Sequence, residues 1–164
     1  MYRILTAAIF IALAGQAPAQ GTGVAFGGMS QDTDAPVEVS ADQLEVNQSD
    51  GTALYTGNVV IGQGEMRLSA PRVLIFYTED ESRIDRMEAS GGVTLVSGEE
   101  AAEGEQAVYS IDAGTIVMTG NVLLTQGGSA LTSERMIVNL EDGTAQMTGR
   151  VRTVIGNSSD ETGQ

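Results

Sequence analysis

The chain has no cysteine, no histidine and no tryptophan, and all eight of its basic residues are arginine. Each absence removes a class of structure or function. Without cysteine there can be no disulfide, so an exported domain of this size must be held by packing alone. Without histidine or cysteine there is no Ser-His or Cys-His nucleophile pair and no usual zinc ligand set. The G-x-S-x-G elbow of hydrolases is missing as well. Against 22 acidic residues the arginines leave a net charge of −14. Such a charge repels nucleic acid and is read here as a solubility device. A calcium-bound β-roll would need Gly-Gly-x-Gly-x-Asp nonapeptides, and none occurs. The expectation is a protein that is not an enzyme and that uses no metal and no cofactor.

The ends differ from the middle. Arg3 precedes an apolar run from Ile4 to Ala14, and Ala17-Pro18-Ala19 follows it. This is the layout of a secretory signal peptide over residues 1–19, cleaved after Ala19, and it implies export to the periplasm. The run is shorter than the roughly 20 residues a membrane-spanning helix needs, although a retained anchor or a buried helix is the alternative. Loss of Arg3 leaves seven arginines against 22 acids, a mature net charge of −15. Residues 20–35 are Gly-rich, then acidic, and read as a flexible leader. Residues 156–164 read as a disordered polar tail. The ordered domain is expected over residues 36–155.

That domain is a repeat. Thr56-Gly57-Asn58-Val59 returns as Ser90-Gly91-Gly92-Val93, Thr119-Gly120-Asn121-Val122 and Thr148-Gly149-Arg150-Val151. A second marker opens each unit: Ser40-Ala41-Asp42, Ser69-Ala70-Pro71, Glu103-Gly104-Glu105 and Thr132-Ser133-Glu134. The two markers stand 16 residues apart in three units (40 to 56, 103 to 119, 132 to 148), and 13 residues separate each unit from the next. One unit is longer by five, from 69 to 90, and the charged stretch Thr78 to Arg83 is the expected insertion, at a hairpin tip. Asp50-Gly51, Ala113-Gly114 and Asp142-Gly143 supply turns, since Gly accepts the positive φ that tight hairpins need. The glycine of each first marker should make a bend or bulge. Asp42, Glu105 and Glu134 recur at one position of the repeat, so they read as turn residues and not as a catalytic carboxylate pair.

Between the markers the residues alternate. Before each hairpin come Leu44 and Val46, Val73 and Ile75, Ala107 and Tyr109, Met136 and Val138. After it come Ala53 and Tyr55, Met87 and Ala89, Ile116 and Met118, Ala145 and Met147. Beyond the glycine come Val59 and Ile61, Val93 and Leu95, Val122 and Leu124, Val151 and Thr153. Of these 24 positions only Thr153 is clearly polar. Gln43, Arg72, Gln106 and Arg135 face the other way, as do Thr52, Arg86, Thr115 and Thr144. Leu54, Val60, Leu74, Phe76, Val108, Val117, Leu123 and Ile137 add apolar residues to that outer face. The fold class is therefore all-β. About twelve short antiparallel strands in two packed sheets, unit stacked on unit, form an open-ended, twisted jelly roll or β-solenoid.

The Ser-Ala-Asp-x-Leu-x-Val start, the Gly turn and the Tyr-Thr-Gly-Asn-Val that follows resemble the OstA-like repeat of lipopolysaccharide-transport proteins, the LptA family. The likeness covers about residues 36 to 155. It implies a jelly roll that accepts the acyl chains of lipid A between its sheets. The inner columns would then be the lipid site, and the lack of lysine suits a headgroup left in solvent. The resemblance further implies a bridge from inner to outer membrane. Its partners would be an LptC-like jelly roll at the inner membrane, an LptD-like one at the outer, and further copies stacked head to tail. The end strands, around Val37 to Val46 (Val39 among them) and around Val151 to Ile155, are where partners would add. A non-transporting scaffold β-solenoid shares the repeat and remains the alternative.

Overall fold

The computed structural model describes residues 22–25, 35–80 and 82–156. The expected signal peptide, its cleavage point after Ala19, most of the leader and the tail beyond residue 156 lie outside these. The described chain is all β. Eleven strands follow in order: β1 (Thr22–Ala25), β2 (Glu38–Ser40), β3 (Gln43–Asn47), β4 (Thr52–Gln63), β5 (Met66–Tyr77), β6 (Ile84–Ser97), β7 (Glu100–Ser110), β8 (Thr115–Gln126), β9 (Ser129–Asn139), β10 (Thr144–Thr148) and β11 (Arg152–Val154). All pair antiparallel, neighbour to neighbour, with no closure into a barrel.

Six of these strands serve two layers. β4 to β9 each run through a corner, so the chain needs fewer, longer strands than the twelve short ones expected. In the first layer β3 lies on Thr52–Thr56 of β4, and the ladder continues through the same half of each long strand to β10 on β9. In the second layer β2 lies on the far half of β4, and the ladder ends with β11 on β9. The register shifts at every corner, as between Thr56 and Val59 of β4 and between Thr119 and Val122 of β8.

The markers of the repeat make those corners. Gly57 and Asn58, Gly120 and Asn121, and Gly149 and Arg150 all have positive φ, and Gly91 and Gly92 do so in the second unit. Each unit-opening carboxylate braces its corner. Asn58 Nδ2 donates to Asp42 Oδ2 at 2.8 Å, Asn121 Nδ2 to Glu105 Oε1 at 2.7 Å and Arg150 Nε to Glu134 Oε1 at 2.8 Å. At Gly120 two demands coincide. Its φ of +82° suits glycine, and a Cβ there would meet Glu105 at 2.7 Å. Only Asp42 lies in a bend, between β2 and β3; Glu105 and Glu134 lie within β7 and β9, where the strands turn the corner, so they are corner braces and not the turn residues expected.

The insertion of the second unit is the hairpin tip between β5 and β6, closed by Thr78 N donating to Arg83 O at 2.9 Å. Hydrogen bonds from Thr78 and Ser82 hold the Asp80 carboxyl down at about 2. Arg83 pairs with Asp112 of the next tip. Both partners are exposed, so the pair contributes little to stability.

Candidate functional site

The two layers enclose one apolar interior. Val59, Ile61, Val73, Ile75, Met87, Val93, Leu95, Tyr109, Ile116, Met118, Val122, Leu124, Met136, Val138 and Met147 are all buried in it. Alternation places them there: successive side chains of a strand point to opposite faces, and only one face of each layer looks inward. From Val59 of β4 to Met147 of β10 these fifteen side chains are each 2% exposed or less and pack in one cluster.

The N-terminal end is different. Leu44 and Val46 belong to the same inner columns, yet they are 54% and 60% exposed. β3 is the last strand of its layer, so nothing stacks beyond it. Tyr55 behind it is half-buried. A cleft of about 240 Å³ opens here, walled by Leu44, Val46, Asn47, Gln48, Gly51, Thr52, Ala53, Tyr55 and Tyr77. Burial, then the neighbouring Tyr77, raises the pKa of the Tyr55 hydroxyl. It stays neutral at physiological pH, and the cleft wall is apolar apart from uncharged groups.

The interior also holds polar groups that the repeat did not announce. Gln63, Ser97, Glu100 and Ser133 are all buried. Tyr109, from the first layer, donates its hydroxyl to Gln63 Oε1 at 2.6 Å in the second, and Gln63 Nε2 donates to the carbonyl of Ala35 at 2.9 Å. This strut ties the two layers across the interior. Burial raises the Tyr109 pKa, with the Gln63 hydrogen bond partly offsetting it. Gln126 Nε2 donates to Glu100 Oε1 at 2.5 Å, while Glu100 Oε2 is buried without a hydrogen-bond partner. Among the described residues no group of three or more acids is placed to hold a metal.

A further apolar set went unread: Met66, Leu68 and Ala70 of β5, Ala102 of β7, Leu131 of β9 and Leu140 are core. The corner hides all of them but Leu140, which continues the period of Met136 and Val138 into the turn. On β5 the buried positions are 66, 68 and 70, then 73 and 75; on β9 they are 131 and 133, then 136 and 138. The inward parity switches at the bend. A period of two carried backward from Val73 or Met136 therefore selects the wrong residues.

The two ends of the stack differ. Val37 and Val39 are half-buried beside β4, whereas Val151 and Ile155 flank β11 at 41% and 74% exposure. The second edge at that end is β10, and it is already occupied: β1, from the expected leader, pairs with it from Thr22↔Met147 to Ala25↔Thr144.

Two layers of corner-bent strands, open along the stacking direction and filled by repeated apolar columns, define an OstA-like jelly roll. Comparison with known proteins agrees. The family described as "LptA/(LptD N-terminal domain) LPS transport protein" matches residues 38–157. An uncharacterized protein of Rhizobium meliloti is 34% identical over 113 residues, 65% of this chain and 61% of that one. The lipopolysaccharide export system protein LptA of Escherichia coli K12 is 32% identical over 44 residues, 27% of this chain and 24% of that one. The crystal structure of LptH, the LptA-homologous periplasmic component of the lipopolysaccharide transport device of Pseudomonas aeruginosa, superimposes with a TM-score of 0.69. It shares 19% identity, over 77% of this chain and 99% of that one. The chain belongs to the LptA/LptD N-terminal domain family of lipopolysaccharide-transport proteins. It spans less than two thirds of the length of these curated relatives.

Proposed function

We propose that this protein is a periplasmic carrier that holds lipopolysaccharide by the acyl chains of its lipid A and passes it toward the outer membrane. The observation that supports this most directly is the open end of the inner columns. Leu44 and Val46, which belong to the same inner columns as Val73 and Ile75, sit exposed beside a cleft whose wall includes the buried Ala53. Each acyl methylene buried there contributes roughly 0.8 kcal/mol, so ten would supply about 8 kcal/mol without any charge complementarity. The acidic surface then matters little, because the headgroup stays outside. The partners of this reading are jelly rolls of the LptC and LptD kind at the two membranes, with copies of this chain between them.

Entry of a chain beyond the cleft requires the layers to part. The close packing from β4 to β10 and the Tyr109–Gln63 strut favour a second reading, a closed scaffold that carries no lipid. A binding titration with fluorescent lipopolysaccharide separates the two. The carrier reading expects saturable binding, weakened at least tenfold by Leu44→Asp together with Val46→Asp, with the melting temperature unchanged. Absence of binding by the folded parent protein would leave the scaffold reading in place.

A further inference from the structure

The two ends of the first layer carry the same column in opposite conditions. At the β3 end Leu44 and Val46 are 54% and 60% exposed, and at the β10 end Ala145 and Met147 are each 1% exposed. The difference coincides with β1, the strand that lies on β10.

The register of β1 is that of the repeat. On β4, Tyr55 faces Val73 and Ala53 faces Ile75; on β8, Met118 faces Met136 and Ile116 faces Val138. On β10, Met147 faces Thr22 and Ala145 faces Val24, in the same antiparallel sense. Thr22 and Val24 thus stand where the next unit of the repeat would place its first strand. In a second copy of this chain that strand is β3, with Leu44 and Val46 at the two positions. β3 is five residues long, and β1 is four with a glycine inside it. Glycine within a strand weakens it. The shorter strand is therefore a stand-in that the longer, more apolar one can displace.

We propose that β1 is an intramolecular cap, holding the β10 edge closed in cis until β3 of a second copy takes its place. The proposal rests on the head-to-tail stacking described above and adds a competitor to it. A cap of this kind explains how an open-ended jelly roll avoids uncontrolled edge pairing and still assembles by strand addition when a partner arrives. It leaves β3, at the other end, as the end free to seek a partner.

The test uses the mature chain, a form lacking residues 20–30, and the pair Val24→Cys with Ala145→Cys. Because the protein has no cysteine of its own, oxidation of that pair locks β1 to β10 alone. Two readouts are taken on folded samples of matched melting behaviour: anisotropy of a labelled peptide spanning residues 36–50, and sedimentation velocity over a concentration series. The cap predicts that the shortened form binds the peptide at least tenfold more tightly than the mature chain. It also predicts that the oxidised pair does not bind the peptide and that reduction restores binding. Equal peptide affinity in all three forms, or weaker binding after the deletion, overturns it. If the shortened form gains peptide affinity yet sediments as a monomer throughout, the cap stands and head-to-tail stacking fails.

Discussion

Replacing Tyr109 with phenylalanine removes one hydroxyl and keeps the ring. That hydroxyl is 2.6 Å from Gln63 Oε1, on a side chain 2% exposed, and it links one layer to the other. A hydrogen bond of this kind contributes about 1 kcal/mol net, and taking the donor from a buried acceptor adds a desolvation cost, so the loss is about 1–2 kcal/mol. For a domain of this size that is a fall in Tm of roughly 3–8 °C. The alkaline limb supplies a second signature. Burial raises the Tyr109 pKa in the folded protein, while a tyrosine in the unfolded chain ionises near 10. Below about pH 10 both states keep the proton and the contribution is intact. As pH rises beyond that, the unfolded state sheds its proton first, so stability falls toward the folded pKa. Urea melts of parent and Tyr109→Phe at pH 7 and across pH 9.5 to 11 read both effects. The variant should be weaker at pH 7 and lose part of the alkaline decline, with Tyr55 supplying the remainder. Equal stability at pH 7 and an undiminished alkaline slope would refute the strut.

Gly120→Ala combines a φ of +82° with a contact to Glu105 at 2.7 Å, whereas Gly127→Ala meets open space at φ +52°. Thermal melts should place the first about 2–3 kcal/mol below the parent and the second about 1 kcal/mol below; equal losses would show that the carboxylate does not brace the corner. Glu100→Gln keeps an acceptor facing Gln126 and removes a charge from a position 7% exposed, so a gain of about 1 kcal/mol is expected in urea titration, and a loss would mean the charge is compensated. Leu124→Ala, at 0% exposure, should cost about 2–5 kcal/mol by the same titration, and a cost near zero would mean the interior is already loose.

Much of this was legible because the repeat writes each structural role several times. The corner glycines, the turn after Asp50 and the insertion at Thr78 to Arg83 all fall where spacing placed them. So do the columns through Val59, Leu95, Ile116 and Val138. Three things were not legible, each for a physical reason. Met66, Leu68 and Ala70 were hidden by the bulge that switches inward parity. Gln63 and Glu100 were missed because a polar residue at an inward position looks outward until its partner is known. The exposure of Leu44 and Val46, and the pairing of Thr22–Ala25 with β10, depend on what lies beyond each end of the stack. Local pattern carries no record of that, and the glycine within β1 breaks the alternation that marks a strand.

The central claim is that lipid lies between the layers, and a crosslink reads it directly. A photoreactive residue is placed at Leu124, 0% exposed inside, and separately at Arg135, exposed on the outer face. The full-length protein is produced in a Gram-negative cell, irradiated, purified and probed for attached lipopolysaccharide. The account predicts an adduct at Leu124 and none at Arg135. A folded, periplasmic protein with no adduct at Leu124, or with equal adducts at both positions, would contradict it.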